Sequence, residues 1–209
     1  MDLGRFLGAT GRHGEAAGKK RGRVAGPCAP RITALLVGAL LGALLMLAGC
    51  GDQVTTEEHF AQGSELAKQG DFEGAAAEFQ AVLDKDPGNV SAMTMLGVTY
   101  YHLQRLDEAI ARYQQAIELA PGDADIHSNL AAAYVQRQEL DRALEEYQAA
   151  IRLNPKLAEA HFGLGVIHLE AGNKEEAIHA FESFQQYDQG QDPLATGYAE
   201  QYLEQLRNP

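Results

Sequence analysis

Hydrophobic, small and proline residues recur along residues 56–189 at a constant interval of 34 positions. An aromatic residue marks each interval, and an alanine stands four positions before it; the aromatic residues are Phe79, Tyr113, Tyr147 and Phe181. Between these positions the apolar residues follow the spacing of an amphipathic helix, with polar residues on the remaining positions. The pattern predicts an all-α protein in which each interval folds as two amphipathic helices joined by a short turn.

Four such units are predicted, covering about 56–89, 90–123, 124–157 and 158–189, which we number units 1 to 4. A proline ends the second helix of units 1 to 3, because proline lacks the donor for the next backbone hydrogen bond and clashes with the preceding turn. We expect small residues where the two helices approach, and the aromatic residues between neighbouring units. One unit cannot bury its own apolar face, so stability requires at least three stacked units.

The same positions resemble the tetratricopeptide repeat (TPR), whose pattern is W-x₂-L-G-x₂-Y, then A-x₃-F, then P. Unit 2 matches it with Leu96-Gly97, Tyr100, Ala109, Tyr113 and Pro121, although its first position is methionine rather than tryptophan. Tryptophan is absent from all four units, and unit 4 has Gln189 in place of the final proline. The resemblance implies a right-handed solenoid that binds proteins and does no covalent chemistry.

Residues 192–206 continue the interval beyond unit 4. Asp192-Pro193 is a favourable helix start, with an N-cap residue followed by proline at the first helical position. We predict a single C-terminal helix that covers the apolar face of unit 4, as a terminal cap must do in a solenoid. Glu200, Gln201, Glu204 and Gln205 are expected to face water.

The first 49 residues predict a signal peptide. Seven basic residues precede an uncharged apolar run, residues 32–48, and Leu47-Ala48-Gly49-Cys50 resembles the lipobox of bacterial lipoproteins. The resemblance implies cleavage before Cys50 and acylation of its thiol, so that residues 50–56 form a short tether to the membrane. Length alone also allows an uncleaved membrane span, because about 17–25 apolar residues cross a bilayer.

Charge narrows the possible partners. Residues 50–209 hold 10 basic and 27 acidic residues, so this part of the chain repels nucleic acid and anionic lipid headgroups. No nucleic-acid partner is expected, and membrane attachment would have to come from acyl chains on Cys50.

Motifs for catalysis, metal binding or cofactor binding are missing from the sequence. It contains no HExxH, GxSxG, GxxxxGK[ST] or GxGxxG motif. His59, His127 and His161 occupy the same repeat position, which favours packing over metal ligation. We therefore predict no enzyme activity, no catalytic residue, no metal and no cofactor.

In TPR proteins the first helix of each unit lines a concave groove, and three positions per unit point into it. The resemblance places twelve residues of this chain at those positions: Phe60, Ser64, Ala67, Thr94, Val98, Tyr101, Ser128, Ala132, Val135, Phe162, Val166 and Leu169. None is charged, so an apolar or amphipathic segment of a partner would fit them. Packing against adjacent helices is the alternative explanation for the same residues.

These features predict a lipid-anchored TPR scaffold that binds other proteins in the bacterial cell envelope. Gly51 directly after Cys50 mildly favours the periplasmic face of the outer membrane over the inner membrane. The alternative is a membrane-spanning protein in which the apolar run stays uncleaved and the units form part of a larger envelope complex.

Overall fold

The computed structural model describes residues 54–208, and all regular secondary structure within that range is helical. The described range contains nine α-helices: α1 Thr56–Gln69, α2 Phe72–Lys85, α3 Val90–His102, α4 Leu106–Leu119, α5 Ala124–Gln136, α6 Leu140–Leu153, α7 Ala158–Glu170, α8 Lys174–Asp188 and α9 Pro193–Arg207. The predicted signal peptide, Cys50 and the start of the predicted tether lie outside the described residues.

The helices pack as four successive pairs, α1 with α2, α3 with α4, α5 with α6 and α7 with α8. The second helix of each pair contacts the first helix of the next, and α1, α3, α5 and α7 also contact one another in succession. One buried apolar cluster extends from Ala75 in α2 to Leu203 in α9. The predicted all-α repeat solenoid is therefore confirmed.

A residue with positive φ ends the first helix of every pair. These residues lie 34 positions apart and are Gly70, Gln104, Gln138 and Gly172, with φ between 60° and 81°. In unit 3 the N–H of Gln138 donates to Val135 O, and the N–H of Glu139 donates to Tyr134 O. This hydrogen-bond pattern requires a residue in the left-handed backbone conformation. Glycine adopts that conformation without steric cost, and glutamine does not.

Replacing Gln138 by glycine is expected to raise the free energy of unfolding by about 1 kcal/mol, because it removes the clash between Cβ and the backbone in the left-handed conformation. The side chain of Gln138 is exposed, so its loss removes no packing. Urea denaturation measures the effect, with Gln138→Ala as the control that keeps Cβ. Equal stability of the glycine and alanine variants would contradict this explanation.

The second helices end where the sequence predicts. α2, α4 and α6 stop two residues before Pro87, Pro121 and Pro155. Unit 4 has no proline there, and α8 ends at Asp188, followed by the C-cap residue Gln189 with φ 52° and by Gly190 with φ 76°. A left-handed residue therefore ends this helix in place of proline.

Three of the four aromatic residues of the repeat pack against a glycine on the first helix of their own unit. A Cβ added to Gly97 would lie 2.6 Å from Cε1 of Tyr113, and one added to Gly165 would lie 2.6 Å from Cε1 of Phe181. Glycine on the first helix thus makes room for the ring of the second helix. Of the four, Phe181 and Tyr147 also fit the predicted position between neighbouring elements of the solenoid. Phe181 stacks on Tyr202 of α9, with 5.3 Å between ring centroids.

Tyr147 departs from this arrangement, because unit 3 has Ala131 where the other units have glycine. Its ring tip lies against Gly163 of unit 4, where an added Cβ would be 2.6 Å from Tyr147 Oη. The hydroxyl is buried and has no hydrogen-bond partner among the residues that the structure describes. Burial accordingly raises the pKa of Tyr147 well above its usual value.

Tyr147→Phe is expected to stabilise the protein by about 1 kcal/mol, because an unsatisfied buried hydroxyl has lost its hydration without gaining a hydrogen bond. Tyr134→Phe is the matched control, since Tyr134 Oη accepts a hydrogen bond of 3.1 Å from Gln114 Nε2. Thermal unfolding of both variants measures the difference. The explanation fails if Tyr147→Phe is as destabilising as Tyr134→Phe.

The final helix caps unit 4 as predicted. The side chain of Asp192 accepts hydrogen bonds from the N–H groups of Leu194 and Ala195, and Pro193 occupies the first turn. Buried Asp188, the last residue of α8, accepts hydrogen bonds from Asp192 N and Thr196 Oγ1. Three small or apolar residues of α9 face the core, and the four polar residues predicted to face water are exposed.

Candidate partner-binding groove

The twelve predicted groove residues all lie on α1, α3, α5 and α7, the first helices of the four units. These helices contact one another in succession, so the structure brings the predicted positions onto neighbouring elements. What a partner could contact then depends on how much of each side chain remains exposed.

Half of the predicted residues are buried in the solenoid itself. Tyr101 is 2% exposed, Phe162 is 3% exposed and Val166 is 2% exposed. Thr94, Ser128 and Ala132 are buried as well. These six side chains stabilise the repeat, as the packing explanation expects, and offer little surface to a partner.

The other six residues are partly exposed: Phe60, Ser64, Ala67, Val98, Val135 and Leu169. Val98 comes from α3, Val135 from α5 and Leu169 from α7, so three successive units contribute one aliphatic side chain each. Phe60, Ser64 and Ala67 extend the set onto α1. We call these six residues the exposed groove set.

Three of the four hydroxyl groups at the predicted positions form hydrogen bonds within the protein, those of Ser64, Thr94 and Tyr101. Ser64 Oγ donates to Phe60 O at 2.8 Å, and Thr94 Oγ1 donates to Val90 O at 2.9 Å. Tyr101 Oη donates to Gln136 Oε1 at 3.4 Å. With these donors occupied and no charge at any of the twelve positions, the exposed groove set is an apolar surface on an acidic protein.

A cavity of about 330 Å³ opens beside the first unit. It is lined by Phe60 of the exposed groove set together with Thr56, Glu57, Ala61, Asn89 and Ser91. An aromatic side chain surrounded by small and polar groups is a suitable site for an apolar side chain of a partner segment.

Two histidines form hydrogen-bonded pairs with glutamates that the sequence analysis missed. His59 Nδ1 lies 2.7 Å from Glu78 Oε2, and His127 Nδ1 lies 2.6 Å from Glu146 Oε2. Each pair joins the first helix of a unit to its second helix. The 19-residue separation, repeated in units 1 and 3, is the signal that could have revealed them, and packing alone does not describe these histidines.

No group of three or more histidine, cysteine or acidic residues within residues 54–208 is arranged to bind a metal ion. The helices described in the structure also include none that is long and apolar enough to cross a membrane. The apolar run at residues 32–48 and the predicted lipidation site Cys50 lie outside that range, so both remain predictions.

Paired helices, recurring glycine–aromatic contacts and a face built from the first helices define a helical-repeat protein of the protein-binding type. Four family models match the sequence: tetratricopeptide repeat at 60–124, at 104–148 and at 159–190, and TPR repeat at 132–172. Together they cover all four units. The chain is a tetratricopeptide-repeat protein.

Solved structures of other TPR proteins share this fold. The crystal structure of MamA protein is 27% identical, covers 72% of this chain and 85% of its own, and superposes with a TM-score of 0.59. TTC0263, a thermophilic TPR protein of Thermus thermophilus, is 20% identical, with coverage of 73% and 81% and a TM-score of 0.61. The first TPR of Spaghetti (RPAP3), bound to the HSP90 peptide SRMEEVD, is 24% identical, with coverage of 56% and 93% and a TM-score of 0.54.

A search of curated proteins found no match.

Proposed function

We propose that this TPR protein is a lipid-anchored scaffold of the bacterial cell envelope that holds partner proteins through the exposed groove set. TPR folds support protein–protein interaction as the coarse function. The finer proposal rests on two features: the apolar surface of the first helices, and the lipobox-like sequence that ends at Cys50.

The observation that carries the groove proposal is that Val98, Val135 and Leu169 each lie on one of three successive first helices. Each is partly exposed, whereas the aromatic residue that marks each repeat interval is almost completely buried. Partly exposed aliphatic side chains on three successive first helices of a highly acidic protein mark a surface for an apolar or amphipathic partner segment.

The partner class differs from that of the TPR structure with a bound HSP90 peptide. Chaperone-binding TPR domains grip a terminal carboxylate with lysine and asparagine at groove positions, where this chain has Phe60 and Ser64. The exposed groove set contains no cationic side chain that could bind the carboxylate of an acidic chain terminus. We therefore propose an apolar contact, with acidic surroundings that exclude other acidic proteins.

Photocrosslinking in intact cells tests the groove proposal. A photoreactive residue replaces Val135, and the control variant carries it at Ala111, an exposed residue on the second helix α4. We expect a specific protein adduct from position 135 and none of that mass from position 111. Tyr101 and Phe162 are unsuitable positions, because their side chains are buried. The same adducts from both positions would contradict the groove proposal.

Membrane attachment is tested separately by the intact mass of protein extracted from membranes. The proposed anchor predicts a chain that begins at an acylated Cys50, and Cys50→Ser should prevent processing. A chain that retains residues 1–49 would favour the alternative, a membrane-spanning subunit of a larger envelope complex. The periplasmic face of the outer membrane is the proposed location, and membrane fractionation checks it.

A further inference from the structure

Unit 4 contains a cleft that the groove proposal does not use. Its volume is about 490 Å³, and its lining comes from α6, α7 and α8: Ile151, His161, Leu164, His168, Glu175, Glu176, His179 and Ala180. None of these residues belongs to the exposed groove set. We call this cavity the His161 cleft.

Units 1 and 3 show what the equivalent histidine binds. In both, the histidine places Nδ1 within 2.7 Å of a glutamate carboxylate on the second helix. His161 occupies the same repeat position, but the residue equivalent to Glu78 and Glu146 is Ala180. Unit 4 thus keeps the histidine and lacks the carboxylate.

Two further differences in unit 4 add imidazole groups to the cleft. His168 replaces Leu66 of unit 1 and Tyr134 of unit 3, and His179 replaces Ala77 and Glu145. Compared with units 1 and 3, the cleft has therefore lost one internal carboxylate and gained two imidazole groups, although Tyr134 of unit 3 is itself a hydrogen-bond donor. The lost carboxylate and the imidazole of His179, which replaces alanine or glutamate, favour an incoming anion.

We propose that the His161 cleft binds a carboxylate group of a partner protein, which takes the place that Glu78 and Glu146 occupy in units 1 and 3. The carboxylate belongs to an aspartate or glutamate side chain or to a chain terminus. The cleft is lined by Leu164 and Ile151 as well, so the chain around the carboxylate contacts apolar surface. This site is independent of the exposed groove set.

Two acidic residues also line the cleft. Glu175 lines the cleft, but its equivalents in units 1 and 3 are Glu73 and Asp141, and a carboxylate binds the histidine there nonetheless. Glu176 stands where unit 1 has Gly74 and unit 3 has Arg142, and it belongs to the first turn of α8, where the helix dipole stabilises its negative charge.

Binding must be coupled to protonation of His161. Its Nε2 lies 3.0 Å from the carbonyl oxygen of Pro155 and donates to it, so Nδ1 of the neutral ring is an acceptor and must gain a proton to bind a carboxylate. Burial lowers the pKa of His161 below its usual 6.5. The groups facing the ring are His168 from α7 and, from α8, Glu175, Glu176, His179 and Tyr187, while α6 contributes only Ile151.

The sign of the pH dependence follows from this coupling. A bound carboxylate favours imidazolium and raises the pKa of His161, so the complex binds more protons than the free protein. Affinity should therefore increase as the pH falls through the region just below 6.5, while the partner carboxylate is still ionised.

A first experiment restores the missing carboxylate inside the full-length chain. Ala180→Glu should pair with His161 and raise the midpoint of thermal unfolding by about 2–4 °C near pH 6. Ala180→Gln is the matched control, which adds the same volume without charge. The proposal is overturned if the glutamate variant unfolds no later than the glutamine variant.

A second experiment uses the unaltered full-length chain and needs no folding of a variant. Histidine ring NMR signals are followed while a blocked pentapeptide with one central glutamate between glycines is added near pH 6. We expect the His161 signal to shift, the His59 and His127 signals to stay fixed because their partners are internal, and a central-glutamine peptide to bind about tenfold more weakly.

A third peptide identifies the source of the carboxylate. Blocked tetraglycine with a free carboxyl end tests a chain terminus, and stronger binding than the glutamate peptide assigns that source. Equal binding of the glutamate and glutamine peptides, or a fixed His161 signal with both acidic peptides, would overturn the proposal. Neither result bears on crosslinking from Val135.

Discussion

Replacing Phe181 by alanine is expected to lower the free energy of unfolding by about 3–5 kcal/mol, the range for truncation of a fully buried aromatic residue. Phe181 is fully buried in α8, and its ring lies 5.7 Å from Phe162 and 5.3 Å from Tyr202, measured between centroids. Alanine would leave a cavity between α7, α8 and α9. The loss should therefore loosen the terminal cap as well as unit 4.

Urea denaturation followed by circular dichroism measures this effect on the full-length chain. Leu194→Ala is the control, because Leu194 lies in the same C-terminal region but is 68% exposed, and its truncation should change stability by no more than about 0.5 kcal/mol. A loss below about 1 kcal/mol for Phe181→Ala would show that the ring is not packed between these helices.

Gly163→Ala should destabilise the protein by about 3 kcal/mol, the upper part of the range for overpacking a core. Alanine is the better helix former by about 1 kcal/mol, so propensity alone predicts the opposite sign. The steric clash outweighs the gain in helix propensity, because the new Cβ would overlap the ring of Tyr147 from unit 3 and lie 2.6 Å from its hydroxyl oxygen. Neither the ring nor the backbone of α7 can move without opening the boundary between units 3 and 4.

Gly197→Ala is the matched control for that substitution. Gly197 also lies inside a helix, α9, but no neighbouring atom of the described residues would lie within 4 Å of an added Cβ. We expect it to stabilise the protein by about 0.5–1 kcal/mol through helix propensity. Thermal unfolding of the two variants should show shifts of opposite sign, and shifts of the same sign would contradict the role assigned to Tyr147.

The repeat itself could be predicted from the sequence because its causes are local. A glycine or alanine, an aromatic residue and a proline at fixed intervals dictate helix ends and the closest helix contacts, and α2, α4 and α6 end where Pro87, Pro121 and Pro155 predict. The start of the cap helix followed in the same way from Asp192-Pro193.

For the predicted groove, the sequence could indicate which helices carry the twelve positions, but not how exposed each side chain is. Tyr101 and Val135 occupy the same repeat position, but the exposure of each depends on its neighbours. Tyr101 is buried and hydrogen-bonded to Gln136, whereas Val135 is partly exposed. The His127–Glu146 pair was missed for a related reason. Adjacent Glu145 and Glu146 look alike in sequence, and only the helix pairing shows that Glu146 faces the histidine.

The ring of Tyr147 was also beyond a repeat-by-repeat prediction. Its position depends on Ala131 in one unit and Gly163 in the next, so two exceptions to the pattern must be combined across a unit boundary. A comparison of equivalent repeat positions does not reveal that a change at one position is compensated by a change at a different position.

The most direct test of the proposal that partner proteins bind on the first helices uses the partner captured by photocrosslinking at position 135. Its affinity for the protein is measured with two charged variants. Val135→Glu places a charge in the exposed groove set, and Ala111→Glu places the same charge on exposed α4. Calorimetric titration should give at least about tenfold weaker binding for the Val135 variant and unchanged binding for the Ala111 variant. Equal affinity of both folded variants would contradict the account.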